Sequence, residues 1–294
     1  MTLDQLRIFV AVAEAEHVTR AAAGLGITQS AASAAIAALE GRHGVALFHR
    51  LGRGIRLSEE GRIFLAEARA VLARAEAAAA VLHDLGTLER GSLTVQASQT
   101  IAGYWLPRHL VALRRRHPGL AVRLTIGNTA QVARAVEDGA ADLGFVEGEV
   151  DAPALDRHEV ARDRLVIVVA PDHPWATTEM PVTPADLLQT SWVLREPGSG
   201  TRSEFERALT GFGLDPAALA VALELPSNES VRAAVETGAG ATALSASVAA
   251  GALEAGLLCA VGPALPDRAF HLLRHRDRHQ SRAAQALTAL VLGE

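Results

Sequence analysis

Residues 18–40, VTRAAAGLGITQSAASAAIAALE, contain two short helical patterns separated by a turn. The glycines at 24 and 26 stop the first pattern, because glycine weakens a helix and suits the turn that follows one. Thr28 precedes the second pattern, and its hydroxyl can accept a hydrogen bond from the first helical turn. The apolar residues of the second pattern share one face: Ala32, Ile36 and Leu39. This arrangement predicts a helix-turn-helix.

The flanking segments extend this prediction to a winged helix-turn-helix over residues 1–60. An earlier helix is indicated by apolar residues at helical spacing: Leu3, Leu6, Phe9, Val10 and Ala13. After the second helix, GVALFHRLGRGIRLS contains two β-like pieces, Ala46–Phe48 and Ile55–Leu57, around the turn RLGRG. The two strands would form the wing beside the helices.

A single long helix is predicted from Ser58 to about Leu88, and we assign residues 58–90 to a linker. Its apolar side consists of Phe64, Leu65, Ala68, Val71, Leu72, Ala75, Ala79 and Leu82. A typical helix has about 11 residues, so this length indicates that the helix packs on a copy of itself. The segment GTLERGS at 86–92 would end the helix and act as a hinge.

From residue 91 to residue 294, strand patterns alternate with helix patterns. The predicted strands are SLTVQA, LAVRLTIG, ADLGFVEG, DRLVIVVA, WVLRE, ALAVALEL, GLLCAV and RAFHLLRHR. Between them lie helical segments such as AQVARAVEDG and TRSEFERALTGFG, with QSRAAQALTALVL last. Strands separated by helices predict an α/β domain with parallel sheets covered on both faces.

Composition narrows the classes of function. The net charge of −5 gives no overall attraction to nucleic acid, but residues 41–57 contain four arginines and no acid. The single cysteine, Cys259, excludes a disulfide framework and a cysteine-built metal site. The N-terminus lacks a signal-peptide pattern, and no apolar run reaches about 18 residues. We therefore expect a cytoplasmic protein with no membrane partner, no cofactor and no metal.

The stretch from Thr2 to Gly61 resembles the N-terminal domain of LysR-type transcriptional regulators. The matching positions are Leu6, Phe9, Ala21, Ala22, Leu25, Gln29, Ser30, Ser33, Ile36, Leu39, Glu40, Gly44, Leu47, Phe48, Arg50 and Gly61. The resemblance implies that residues 91–294 form a two-lobed, periplasmic-binding-protein-like effector domain. Lobe I would comprise about 91–162 and 266–294, and lobe II about 163–265. The family resemblance also implies that two chains form a homodimer and that two such dimers form a homotetramer. RNA polymerase is a further candidate partner.

In the family, the second helix of the motif enters the major groove of double-stranded DNA, at inverted repeats near promoters. The resemblance assigns base contacts to the first turns of this helix: Thr28, Gln29, Ser30 and Ser33. The wing arginines would hold phosphates: Arg50, Arg53 and Arg56. The chain departs from the family at Ala34, Ala35 and Ala37, where longer polar residues are common, and at His17, where a capping serine is usual. These departures predict few base contacts and a larger part for DNA shape.

The C-terminal segments LTIGNT, DLGFVEG and WVLREPGSGTR are similar to regulators of sulfur assimilation, including sulfite-responsive ones, and of carbon fixation. This resemblance implies a small anionic effector, such as an oxyanion or a phosphorylated metabolite, between the lobes. Strand-to-helix turns would supply the walls of that site, because free N–H groups collect at helix N-termini. The candidate residues are Ser98, Gln99, Thr100, Asn128, Thr129, Arg195, Ser199, Thr201, Arg202, Ser227 and Asn228.

Three alternatives remain open from the sequence. Arg195 and Arg202 could instead form salt bridges with Glu147, Glu196 or Glu206. The chain could be a solute-binding protein without DNA affinity, although the winged-helix pattern argues against this. It could also be an anion-handling enzyme on the same fold, but no paired acid, base or nucleophile motif is present. We therefore expect a regulator and no catalytic residue.

Overall fold

The computed structural model describes residues 1–51, 54–84 and 91–293. Two compact units divide the chain, with the boundary between Gly86 and Thr87. The elements of the first unit are α1 (Leu3–Ala15), α2 (Val18–Gly24), α3 (Gln29–His43), β1 (Phe48–Leu51), β2 (Gly54–Leu57) and α4 (Glu59–Asp84). The prediction of a winged helix-turn-helix followed by a long helix is confirmed.

Phe9 of α1 lies at the centre of the first core and is fully buried. Its ring centroid is 5.6 Å from that of Phe48 at the start of β1 and 4.9 Å from that of Phe64 in α4. Ile36 and Leu39 of α3 belong to the same apolar cluster. Burial of this shared cluster therefore holds the wing and the start of the long helix against the helix-turn-helix.

The first wing strand begins later than the sequence predicts, since β1 spans Phe48–Leu51 rather than Ala46–Phe48. The cause is Glu40 near the end of α3, whose carboxylate accepts hydrogen bonds from Leu47 N at 2.7 Å and from Phe48 N at 3.2 Å. This carboxylate occupies backbone donors that an earlier strand would need for pairing. The second strand, β2, agrees with the prediction within one residue.

α4 is 26 residues long within the described part of the chain. The last predicted residues of this helix, 85–88, lie outside the described residues, as does most of the predicted hinge at 86–92. Among the residues described, no single helix is both long and apolar enough to cross a membrane, and only the bent pair of α2 and α3 meets those criteria jointly.

The second unit begins with β3 (Ser92–Ala97), a π-helical turn (Ile101–Trp105), α5 (Leu106–Arg116), β4 (Ala121–Ile126), α6 (Thr129–Asp138), β5 (Leu143–Glu147) and β6 (Leu155–Val169). It continues with α7 (Pro174–Thr177), a 3₁₀ turn (Pro184–Gln189), β7 (Ser191–Arg195), α8 (Gly200–Gly211), a 3₁₀ turn (Pro216–Ala218) and β8 (Ala220–Leu225). The last elements are α9 (Asn228–Glu236), β9 (Thr242–Ser245), α10 (Ala246–Glu254), β10 (Cys259–Val261), β11 (Asp267–His275) and α11 (Arg282–Leu292).

The long strand β6 joins two lobes. Its first part, Leu155–Arg164, pairs with β11, which continues through β5 and β3 to β4 in lobe I. Its second part, Leu165–Val169, pairs with β9 and β10 in lobe II, where β7 and β8 form a further pair. Each lobe has its own buried apolar clusters, with Phe145 in lobe I and Trp192 in lobe II. The two-lobed α/β architecture expected from the resemblance is confirmed.

The prediction of parallel sheets holds only in part. The strands β4, β3 and β5 are parallel, and so are β7 and β8, but β6 pairs antiparallel with β9, β10 and β11. β6 carries the chain from lobe I into lobe II, and β11 carries it back into lobe I, so the two strands run in opposite directions and pair antiparallel. The structure also has β9 and α10 over residues 242–254, where the sequence patterns predict no element.

Candidate functional site

The N-terminus of α3 presents polar side chains that are mostly exposed. Thr28 caps the helix by accepting a hydrogen bond from Ala31 N at 3.2 Å. Its hydroxyl oxygen lies 3.0 Å from that of Ser30, and Gln29 Nε2 donates to Ser33 Oγ at 3.0 Å. These hydrogen bonds join residues within the first turns of α3. Because Thr28, Gln29 and Ser30 are exposed, their donors and acceptors can also bond to a ligand at the N-terminus of the helix.

The wing carries basic residues on both strands. In the β1–β2 hairpin, His49 lies opposite Arg56, and Arg50 lies opposite Ile55. The side chain of Arg56 is exposed. Arg53 was predicted to hold a phosphate, and it lies outside the described residues. The basic wing therefore has at least one exposed guanidinium beside the helix-turn-helix.

His17 takes the capping role that a serine has in the family. It is the N-cap of α2, and its Nδ1 accepts a hydrogen bond from Arg20 N at 3.3 Å. The first helix of the motif is therefore capped despite this departure in sequence, since an imidazole nitrogen accepts the same kind of bond as a hydroxyl oxygen.

In the second unit, all four predicted turns follow the carboxyl ends of strands in parallel pairs. Residues 98–100 follow β3 and residues 128–129 follow β4 in lobe I, while residues 196–201 follow β7 and residues 227–228 follow β8 in lobe II. In open α/β sheets this edge is where ligands bind. The structure therefore places the four predicted turns at this edge of the strands in each lobe.

Gln99 and Asn228 join the two lobes directly. Asn228 N donates to Gln99 Oε1 at 2.8 Å, and Gln99 Nε2 donates to Pro226 O at 3.1 Å. Asn228 Nδ2 donates to Thr100 Oγ1 at 3.1 Å. Thr100 and Asn228 are each about 1% exposed, so the hydrogen bond between their side chains lies in the interior of the cleft.

Arg195 faces the same cleft from the end of β7. Its Nη1 donates to Asn228 Oδ1 at 2.6 Å, and its Nε and Nη2 donate to the carboxylate of Glu196 at 2.8 and 3.0 Å. Asn128 Nδ2 of lobe I donates to the same carboxylate at 3.2 Å. Burial opposes ionisation of Glu196, but the hydrogen bonds from Arg195, from the Glu196 backbone and from Asn128, together with the charge of Arg195, hold the pKa of this carboxyl below its usual value. The salt bridge to Glu196 that the sequence left open is therefore formed.

Glu147, at the end of β5, is a buried carboxylate for which the sequence suggests only the role of a salt-bridge partner. It accepts hydrogen bonds from Ser98 Oγ and, at 3.4 Å, from Thr201 Oγ1, and its carbonyl accepts from Thr129 Oγ1 at 2.7 Å. Three predicted effector residues are thus engaged with Glu147. The available signal was a charged residue at the end of the apolar run LGFVE.

Arg268 and Asp163 complete this buried network where β6 and β11 pass between the lobes. Arg268 Nη2 is 2.7 Å from Asp163 Oδ2, and its Nη1 is 3.1 Å from Thr201 Oγ1 and 3.7 Å from Glu147 Oε1. The side chain of Arg268 is 1% exposed. A charge this deeply buried needs such partners, so the arginine fixes the residues around it.

Within the described part of the chain, three predicted effector residues make polar side-chain contacts neither to the opposite lobe nor to Glu147. Arg202 pairs with Glu206 at 2.8 Å and with Glu224 at 2.6 Å, which is the salt-bridge alternative. Ser199 is the N-cap residue of α8, although its side chain makes no capping bond. Ser227 caps α9 through Ser230 N at 3.0 Å. Arg202 and Ser227 make these side-chain contacts within lobe II, and Ser199 lies at the start of α8 in the same lobe.

The comparisons with known proteins cover both units. Residues 3–62 match the family model described as bacterial regulatory helix-turn-helix protein, lysR family, and residues 86–294 match the LysR substrate binding domain. The HTH-type transcriptional regulator YeiE of Escherichia coli K12 is 35% identical over 96% of this chain and 94% of its own. A probable RuBisCO transcriptional regulator of Cyanophora paradoxa is 32% identical over 99% of this chain and 91% of its own.

A solved structure resembles the second unit. It is the regulatory domain of Synechocystis PCC6803 CcmR in complex with 2-PG, with a TM-score of 0.63, 24% identity, and coverage of 69% of this chain and 97% of that one. At this identity the likeness shows the fold alone. The family models and the two relatives carry the assignment, which confirms the expectation of a regulator rather than an enzyme. The chain belongs to the LysR family of DNA-binding transcriptional regulators, with an effector-binding domain that follows the helix-turn-helix domain in sequence.

Proposed function

We propose that this LysR-family regulator binds inverted-repeat promoter DNA and responds to a small anion held between lobes I and II. The responsiveness to an anion is supported mainly by Asn228 of lobe II, which donates hydrogen bonds across the interlobe cleft to Gln99 and Thr100 of lobe I. Arg195 of lobe II donates to the same asparagine, so a guanidinium lies beside these cross-lobe bonds. A buried guanidinium among amide and hydroxyl groups is the usual chemistry for holding an anion with several oxygens.

On the DNA side, Thr28, Gln29, Ser30 and Ser33 read base edges from α3, and the wing arginines Arg50, Arg53 and Arg56 contact phosphates. Glutamine suits adenine because its amide can pair bidentately with N6 and N7. The alanines farther along α3 leave few other base contacts, so groove shape supplies part of the specificity.

The chains pair through α4, and two such dimers form a homotetramer in the cytoplasm, with RNA polymerase as a further partner. The pairing is supported by apolar side chains that α4 exposes in the single chain, with Ile63 67% exposed and Val71 42% exposed. We assign residues 1–60 to DNA binding, 58–90 to the linker, and 91–294 to effector binding. Movement of the lobes on binding the anion would change the spacing of the paired DNA-binding domains.

We propose two classes of effector for this cleft. The complex of CcmR with 2-PG supports a small-molecule effector, because that regulatory domain shares this fold. A phosphorylated metabolite is the first class that we propose. An oxyanion such as sulfite is the other class, since it offers the same oxygen acceptors at smaller size. Both present adjacent oxygens that a guanidinium can hold with two parallel hydrogen bonds.

Calorimetric titration of the full chain with sulfite and with 2-phosphoglycolate tests this proposal. We expect one of them to bind, and binding to weaken when Thr100→Val removes a hydroxyl from the cleft. The matched control is Thr94→Val on β3 of the same lobe, which should bind the anion as the unmodified chain does. Absence of binding by both anions, or equal weakening in both variants, would contradict an anion site between the lobes.

A further inference from the structure

The carboxylate of Glu196 is held as a bound anion would be. Arg195 Nε donates to Glu196 Oε2 at 2.8 Å, and Arg195 Nη2 donates to Glu196 Oε1 at 3.0 Å. Two parallel bonds from one guanidinium to two oxygens form the geometry by which arginine recognises carboxylate and phosphate groups. The face of Arg195 that would recognise an anionic effector is therefore occupied by a side chain of the protein itself.

The same carboxylate is also bonded from the opposite lobe. Asn128 Nδ2, in the turn after β4 of lobe I, donates to Glu196 Oε1 at 3.2 Å. Glu196 belongs to the turn after β7 of lobe II. Donors from both lobes thus converge on one anionic group, and this bond helps to hold the lobes together in the way expected of an effector.

The two partners differ in how firmly they are fixed. The side chain of Arg195 is 5% exposed and is anchored at its third nitrogen by Asn228. The side chain of Glu196 is 27% exposed and reaches the guanidinium from the solvent side. An entering anion can therefore displace Glu196 toward water, while Arg195 remains in position.

We propose that Glu196 is an internal competitor for the anion site, so that the effector binds by taking its place on Arg195 and Asn128. This inference rests on the proposed function, because it concerns the same cleft. The competition selects for anions with two adjacent oxygens that accept from Arg195 more strongly than a carboxylate does. It also lowers the apparent affinity, because the effector binds only the fraction of molecules in which Glu196 has left the guanidinium.

The test is calorimetric titration of the full-length chain with sulfite and with 2-phosphoglycolate, comparing the unmodified protein with Glu196→Gln and Glu196→Ala. If Glu196 occupies the site about nine-tenths of the time, its removal should tighten binding on the order of tenfold. The control is Glu206→Gln, which removes a carboxylate from α8 that pairs with Arg202 and does not contact Arg195. Thermal unfolding of each variant would show that all remain folded.

The outcomes separate this inference from the proposed function. Tighter binding in both Glu196 variants, with no change in Glu206→Gln, supports competition. Equal tightening in Glu206→Gln would mean that only net charge matters, and unchanged or weaker binding in the Glu196 variants would mean that Glu196 does not compete. Either result overturns the inference while the anion site stands. If none of the proteins binds either anion, the proposed function fails, and the inference fails with it.

Discussion

The N-terminus of α3 and the interlobe cleft use the same kinds of side chain, namely serine, threonine, and glutamine or asparagine, in opposite environments. Around α3 they are largely exposed and bond within one helix. In the cleft they are buried and bond across elements far apart in sequence, such as Thr100 and Asn228. A buried polar group without a partner costs free energy, whereas an exposed one is satisfied by water. The cleft residues should therefore matter for folding, and the α3 residues mainly for binding.

The strongest test of this difference is Arg268→Ala. Its removal leaves Asp163 and Glu147 buried without their cation, so we expect a loss of about 3–5 kcal/mol in the free energy of unfolding. The control is Arg274→Ala, whose half-exposed pair with Asp156 should be worth about 1 kcal/mol or less. All three tryptophans lie in the second unit, so denaturant titration followed by tryptophan fluorescence reports on that unit. Similar losses in both variants would contradict a special role for the buried network.

Gly200→Ala should have the next largest effect, about 1–3 kcal/mol of destabilisation. A Cβ at this position would lie 2.1 Å from the carbonyl oxygen of Glu147 and 2.5 Å from Thr129 Oγ1, so the contact between lobes would have to open. Gly211→Ala, on the same helix, meets nothing within 4 Å and should be neutral or slightly stabilising. The same fluorescence measurement compares them, and equal stability of the two variants would show that the close approach is not needed.

The smallest effect on stability is expected at α3. Thr28→Ala removes the cap and should cost about 1 kcal/mol, whereas Gln29→Ala should leave the unfolding curve unchanged. In operator titrations, however, Gln29→Ala should weaken specific DNA binding by about 1–3 kcal/mol. Helical circular dichroism during thermal unfolding measures the first pair of effects. A large loss of stability in Gln29→Ala would remove the contrast between the two regions.

The positions of the candidate site residues were partly predictable, because the sequence signals for helix caps and strand-to-helix turns are local. The cap at Thr28 and the turns at 98–100, 128–129, 196–201 and 227–228 follow from residue types at the ends of helices and strands. The partner with which each site residue forms a hydrogen bond or salt bridge was not predictable in this way. The sequence offered three partners for Arg195 and Arg202, and only packing selected Glu196 for the first and Glu206 with Glu224 for the second.

By itself the sequence determined the winged helix-turn-helix, the long helix and the strand ends that line the cleft, since periodicity and capping depend on neighbours a few residues apart. Only the tertiary structure decided that β6 and β11 run antiparallel between the lobes, and that Glu147, Asp163 and Arg268 meet there. Asp163 and Arg268 are separated by 105 residues. Their charges are tolerated in the interior because the strands bring them into contact, and no local pattern in the sequence records that meeting.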